Sequence, residues 1–384
     1  PPVIVDWLPW NHTFGGNHNL GLTLYNGGSL YIDDGAPTPG GIAATVRNLR
    51  EVAPTMFLGV PRIWEKLHAA IHIRMQETGG LRHRLFEHLV AGCAPFAEKS
   101  PSQRSIGERL RFGLGWLLMF RALQNFIGLR RTRVALTGAA SIPPPIIAFF
   151  RTIGVPLVEV YGLTESTGMI TGQRLDGVRL GTVGEPVPGV EHRVDPDSGE
   201  LLVRGGMVFA GYYKSPEATA ATVRDGWLHT GDVVREEGGQ LRIVDRLKDI
   251  MITAGGKNLT PSEIENTMKA SPFIKECIVI AEGRKFVSAL IQIDYETVGK
   301  WAEARRLAFT HFRSLVELPE VRELIQGEID QGNGRLAQVA QIKSFHLLTK
   351  ELDHDDGEVT ATMKVRRSSI YKTYAPEIEA LYGA

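Results

Sequence analysis

The segment of this 384-residue chain that is densest in reactive groups is Val160-Tyr161-Gly162-Leu163-Thr164-Glu165-Ser166-Thr167-Gly168. It reads as a strand that runs straight into a turn of glycine, hydroxyl and carboxylate. A carboxylate such as Glu165 is a hard oxygen ligand of the kind Mg²⁺ takes while offsetting phosphate charge. The Thr164 hydroxyl can donate to a phosphate oxygen, and Tyr161, next to Gly162, offers a flat face suited to a purine. An ordinary surface turn after a buried strand is the competing reading.

Four other segments carry candidates. Asp225-Gly226-Trp227-Leu228-His229-Thr230-Gly231-Asp232 ends on an aspartate at a tight turn, where a carboxylate can accept both hydroxyls of a ribose. Arg246, further along, has a fixed fork of donors for the same ribose or a phosphate, or for a neighbouring Asp245 or Asp249. In Thr137-Gly138-Ala139-Ala140 no side chain after the threonine exceeds a methyl group, so a flat ring could lie on the backbone; a plain strand-to-helix turn explains the same residues. His12, in Trp7-Leu8-Pro9-Trp10-Asn11-His12-Thr13-Phe14-Gly15-Gly16, which reads as a turn after a strand, could orient a substrate carboxylate or simply cap and pack. Lys364, in Thr360-Ala361-Thr362-Met363-Lys364-Val365-Arg366-Arg367, could stabilise charge moving into pyrophosphate or belong to a solvated basic run.

The elements that must position these residues follow α/β grammar in the first half. Strands are predicted at Val3–Leu8, Thr55–Leu58, Val134–Thr137 and Pro156–Val160, and helices over Gly40–Val52 behind Pro39, through much of Trp64–Arg131, and over Pro143–Ile153. From about Gly184 short strands with Gly and Asp turns predict a β-rich subdomain, with a hairpin of His192–Asp195 and Glu200–Arg204. Beyond Asp249 the pattern is α+β: a strand at Ile250–Thr253, a Gly255-Gly256 turn, and a helix from Pro261 with Thr260 as N-cap and Glu263 completing a capping box. Strands at Ile274–Ala281, Val287–Ile293 and Ser344–Leu348 and helices at Tyr295–Arg305 and Pro319–Gly332 complete it. The predicted division is a large domain over 1–246, a hinge at 247–248 and a small mobile domain over 249–384.

Composition narrows the function classes. Lys plus Arg (43) equal Asp plus Glu (43), so no global field gathers nucleic acid, and anions must be gripped locally. Cys93 and Cys277, the chain's 2 cysteines, form no CxxC pair and point to neither a disulfide framework nor a zinc ribbon, which fits a cytoplasmic protein. Phe112–Leu129 reads as a helix packed on the core, with a membrane-surface helix as the second reading; Gly113, Gly115, Gln124 and Asn125 weaken it as a span. Pro1-Pro2-Val3-Ile4-Val5-Asp6 has no signal-like segment and reads as the run into a strand, so the chain is expected to begin inside a domain.

Taken in order, YGLTES, WLHTGD, DRLKD, GGKNLTPSEIE and TATMK resemble the adenylate-forming superfamily of acyl- and aryl-CoA synthetases, luciferases and peptide-synthetase adenylation domains. The resemblance implies ATP, Mg²⁺ and coenzyme A as ligands. It assigns Thr164 and Glu165 to phosphates and metal, Asp232 and Arg246 to the ribose, and Gly138, Ala139 and Tyr161 to the adenine. His12 falls to the acyl pocket, Lys364 to adenylation, Lys248 to the hinge, and Gly255-Gly256 to the CoA tunnel. Val60-Pro61-Arg62-Ile63-Trp64-Glu65-Lys66 and the long helical insertion resemble long-chain fatty acyl-CoA synthetases, and Pro9–Gly16 with Asn26-Gly27-Gly28 resembles feruloyl-CoA synthetases, so an aromatic acid is the runner-up. A noncatalytic nucleotide- or acyl-binding remnant, a peptide-synthetase module and a luciferase-like oxygenase are the other classes. The family's Ser/Thr/Gly-rich phosphate loop, ending in Pro-Lys-Gly, belongs N-terminal to Trp7, so this polypeptide alone is expected to adenylate poorly.

Overall fold

Runs of Val, Leu and Phe bounded by Gly, Pro and Asp give short strands, and the longer amphipathic stretches between them give helices. The computed structural model describes residues 1–35, 41–360 and 365–383. It divides into two compact units, Pro1–Ile243 and Val244–Ala384, a division that falls within the strand Gln240–Arg246.

In the first unit Met56–Gly59, Val134–Thr137 and Leu157–Tyr161 pair in parallel, and Thr171–Gly172 and Glu185–Pro186 extend the sheet antiparallel. Val3–Asp6 pairs in parallel with Ser29–Ile32, and the Thr55 amide donates to the Val3 carbonyl at 2.9 Å, tying this pair to the sheet edge. Helices Pro61–Thr78, Gly80–Cys93 and Pro144–Thr152 bury Trp64, Phe86 and Phe150 against it. A second sheet holds Glu191–Val194, Glu200–Arg204, Val223–Arg224, Trp227–Glu237 and Gln240–Arg246, with the predicted hairpin present as an antiparallel pair. Ligand crevices of parallel sheets open at the carboxyl ends of the strands. Gly59, Thr137 and Tyr161 stand at those ends.

The second unit pairs Ile274–Ile280 antiparallel and Ile342–Leu347 parallel to Val287–Ile293. Every residue of Val287–Ile293 is buried, as a central strand covered on both faces must be. Helices Pro261–Lys269, Tyr295–Ala304 and Pro319–Asn333 pack on it, and Met251–Ile252 pairs with Asn258–Leu259 around the Gly255-Gly256 turn.

One local expectation falls outside the described residues and two change. Helix Gly41–Val52 forms, but Pro39, expected to open it, lies outside the described residues. The capping box at Pro261 does not form, because Thr260 makes no side-chain cap. Asp245 takes its place: Ser262 donates to it from its amide at 3.0 Å and from its hydroxyl at 2.9 Å. A carboxylate also complements the helix N-terminal dipole better than a hydroxyl does. Finally, the segment after His12 is helical, π-helical over Phe14–Leu20 and α-helical over Gly21–Tyr25, and not a simple turn.

Candidate functional site

The turn after Leu157–Tyr161 is fixed from inside. Ser166 Oγ is buried, accepts from the Leu163 amide at 2.9 Å and donates to its carbonyl at 3.0 Å, and the Gly168 amide closes on the Leu163 carbonyl at 2.9 Å. A Cβ on Gly162 would meet the Gly168 carbonyl oxygen at 2.4 Å, so the tight return needs glycine there. With Ser166 turned inward, Thr164 is exposed and Glu165 half-buried. Glu165 is braced from another segment. Tyr212 Oη donates to its Oε1 at 2.6 Å, and the Phe209 amide donates to its carbonyl at 2.8 Å.

Tyr161, at the strand end, donates from Oη to Asp232 Oδ2 at 2.6 Å. Asp232 is buried in the irregular stretch between His229 and Val233 of Trp227–Glu237, and its amide donates to Thr230 Oγ1 at 3.1 Å. Gly231, with φ of 70°, turns the chain here, and its amide donates to Glu200 Oε1 at 2.8 Å. The ribose candidate and the purine-facing candidate are therefore brought together.

Thr137-Gly138-Ala139-Ala140 ends the neighbouring strand. A Cβ on Gly138 would meet the Val160 carbonyl oxygen at 2.8 Å and Phe14 at 3.2 Å, and Ala139 takes the left-handed backbone with φ of 70°. Thr137 Oγ1 is buried with no hydrogen-bond partner among the described residues. Phe14 belongs to the His12 segment, and a Cβ on Gly168 would touch Thr13 at 3.3 Å, so that segment adjoins both the shelf and the Glu165 turn. His12 Nδ1 accepts from the Phe14 amide at 3.3 Å. Asp6 anchors the segment by accepting from Trp10 Nε1 at 2.7 Å and Asn19 Nδ2 at 2.6 Å.

These residues fit a nucleotide: a shelf with no side chain larger than methyl, a carboxylate held at a turn, and an exposed threonine hydroxyl beside a carboxylate. Among the described residues no group of three or more His, Cys, Asp or Glu could hold a metal ion. A single carboxylate beside a threonine hydroxyl suits Mg²⁺, which takes one or two carboxylates and fills its remaining positions with phosphate oxygens and water.

Arg246, Lys248, Gly255 and Gly256 belong to the second unit and are all exposed. Gly256, with φ of 70°, donates from its amide to the Thr253 carbonyl at 2.9 Å. Lys364 lies outside the described residues, between Val359 and Val365, which form an antiparallel bridge. Tyr212 is the site residue that sequence reasoning missed. Its neighbours Gly211 and Tyr213 carry no signal linking it to a carboxylate far earlier in the chain.

Residues 2–213 match the AMP-binding enzyme family and residues 248–384 its C-terminal domain, so the chain belongs to the AMP-binding enzyme family. It is 37% identical over 342 residues to a putative fatty-acid–CoA ligase, fadD11, of Mycobacterium tuberculosis, covering 88% of this chain and 60% of the relative. It is 32% identical over 350 residues to the long-chain-fatty-acid–CoA ligase FadD15 of the same species, covering 89% of this chain and 58% of the relative. The chain thus spans about 60% of the length of these relatives. Among solved structures, the adenylation domain of a carboxylate reductase from Mycobacterium chelonae superposes with a TM-score of 0.73 at 23% identity, covering 100% of this chain and 54% of that one. That likeness fixes the mixed α/β adenylation-domain fold.

Proposed function

We propose that this chain belongs to an enzyme that ligates a fatty acid, long-chain in preference, to coenzyme A through an acyl-adenylate, releasing AMP and pyrophosphate. The observation that carries the reading is the meeting, within the first unit, of the braced Glu165 turn, the Tyr161–Asp232 pair and the Gly138-Ala139-Ala140 shelf. The fatty-acid–CoA ligase names of the relatives support an aliphatic acid over an aromatic one.

When bound, ATP supplies the adenylyl group, Mg²⁺ offsets phosphate charge, and coenzyme A supplies the thiol. Asp232 accepts from the ribose hydroxyls while Tyr161 fixes its carboxylate and offers a flat face to the purine. Gly138, Ala139 and Ala140 put no side chain larger than a methyl group in the way of the adenine. Thr164 donates to a phosphate oxygen, Glu165 holds the metal, and His12 orients the acid's carboxylate. Lys364 stabilises the charge that leaves with pyrophosphate. Arg246 serves the ribose, Lys248 is the hinge between a large domain over 1–246 and a small one over 249–384, and Gly255-Gly256 lines the path of the thiol.

Lys364→Ala in the full-length gene product tests this assignment. It should abolish acyl-adenylate formation and spare thioester formation from supplied acyl-adenylate. Equal rates for both half-reactions in variant and native protein would overturn it.

A surface observation favours peripheral membrane contact. Ile106–Gly115, Trp116–Phe120 and Arg121–Phe126 run on as one helical stretch that buries Met119, Phe120 and Leu123. Ile106, Leu110, Leu114, Leu117 and Leu118 are exposed among the exposed arginines Arg109, Arg111 and Arg121, a pairing of apolar area and positive charge that suits an anionic lipid surface. No described helix is long and apolar enough to cross a membrane.

A further inference from the structure

We propose that Tyr212 is a positioning residue for Glu165, aiming one carboxylate oxygen at the metal by occupying the other; this rests on the reading of Glu165 as the Mg²⁺ ligand. A half-buried glutamate has several rotamers, and a ligand for a small cation with strict octahedral demands works only if one is selected. The Tyr212 hydroxyl selects it, donating to Glu165 Oε1 at 2.6 Å. That bond commits one oxygen to the protein. Among the described residues Oε2 accepts no hydrogen bond, which leaves it for a cation.

Tyr212 is itself held on three sides. Its amide donates to Thr219 Oγ1 at 2.9 Å, and Thr219 donates on to the Ser215 carbonyl at 2.9 Å. Its ring meets Phe209 edge-on, with centroids 4.8 Å apart. A Cβ on the preceding Gly211, whose φ is 145°, would meet Thr219 at 2.8 Å, so the approach of this segment to the Pro216–Thr222 helix requires glycine.

The same segment is clasped to the Glu165 turn at two further points. The Phe209 amide donates to the Glu165 carbonyl at 2.8 Å, and Thr167 Oγ1 donates to the Met207 carbonyl at 2.8 Å. The backbone bonds place the turn, and the phenol sets the side chain. Partners of this kind fix the orientation of first ligands, and their loss typically costs metal affinity about 10- to 100-fold.

The test is Tyr212→Phe in the full-length gene product, which removes the hydroxyl and keeps the ring against Phe209. Binding of Mn²⁺ with a non-hydrolysable ATP analogue, followed by electron paramagnetic resonance, should weaken about 10-fold, and the Mg²⁺ concentration for half-maximal adenylation should rise by a similar factor. Thioester formation from supplied acyl-adenylate, which has no pyrophosphate to neutralise, should keep its native rate. Unchanged Mn²⁺ binding would overturn the proposal, as would equal loss in both half-reactions, which would mark a merely structural role. Glu165→Gln is measured alongside. If it weakens Mn²⁺ binding and Tyr212→Phe does not, the positioning role alone falls; if neither does, the metal reading of Glu165 falls with it.

Discussion

Tyr161 Oη donates to Asp232 Oδ2 at 2.6 Å, joining a strand end of one sheet to a turn in another across 71 residues of sequence. The bond consumes one oxygen of the carboxylate of Asp232, whose own amide donates to Thr230 Oγ1 at 3.1 Å. Asp232→Asn should weaken AMP binding about 10- to 100-fold, since bonds to a charged acceptor contribute about 1.5–3 kcal/mol. Tyr161→Phe, which leaves the carboxylate in place, should cost about two- to tenfold. Calorimetric titration with AMP measures both, and a larger loss for Tyr161→Phe than for Asp232→Asn would contradict the assignment.

Glu159 predicts a pH dependence of stability. Burial pushes its carboxyl up to about 8 from the ordinary value of 4.5, against the opposing pull of Arg242. Between those pH values the folded state holds a proton that the unfolded chain has lost. Stability therefore falls as pH rises from about 4.5 to about 8. Glu159→Gln keeps the shape and cannot ionise, so its gain in Tm over the native protein should be larger at pH 8 than at pH 5. Parallel curves of Tm against pH would contradict this.

In the second unit Glu358 is fully buried, and its carboxylate accepts from Tyr374 Oη at 3.0 Å, Lys350 Nζ at 3.1 Å and the Asp353 amide at 3.0 Å. Glu358→Ala strands the phenol and the amide, while Lys350, half-exposed, rehydrates. The expected loss is about 3 kcal/mol, read by urea denaturation. A loss below about 1 kcal/mol would show that water replaces the carboxylate.

The exposed face of Ile106–Phe126 predicts vesicle binding that depends on both lipid charge and leucines. The full-length gene product should sediment with phosphatidylglycerol vesicles more than with phosphatidylcholine ones, and Leu114→Glu with Leu117→Glu should reduce that binding at least about 10-fold. Equal sedimentation of native and variant proteins would remove the membrane reading.

Much of this was legible in sequence because local patterns carry it. The strand before Thr164, the Pro-started helix Pro144–Thr152 and the Glu200–Arg204 hairpin each follow from residues close together in the chain. What escaped depends on distant residues. The Tyr212–Glu165 bond spans 47 residues and the Asp245 cap of Pro261–Lys269 spans 17, and neither alters the composition of its own segment. The Thr260 and Glu263 pattern misled because a capping box competes with any better acceptor the fold delivers, and Asp245 is one. The parallel pairing of Ser29–Ile32 with Val3–Asp6 was likewise hidden, since three of the four Ser29–Ile32 residues are exposed and show no alternation.

The most direct measurement of the central claim is acid-dependent formation of AMP and acyl-CoA by the full-length gene product with short, medium and long fatty acids and ferulate. The account predicts stoichiometric AMP and thioester, greatest with long-chain acids and lost in Lys364→Ala. A maximum with ferulate would move the substrate to aromatic acids, and no acid-dependent AMP with any of them would contradict the account.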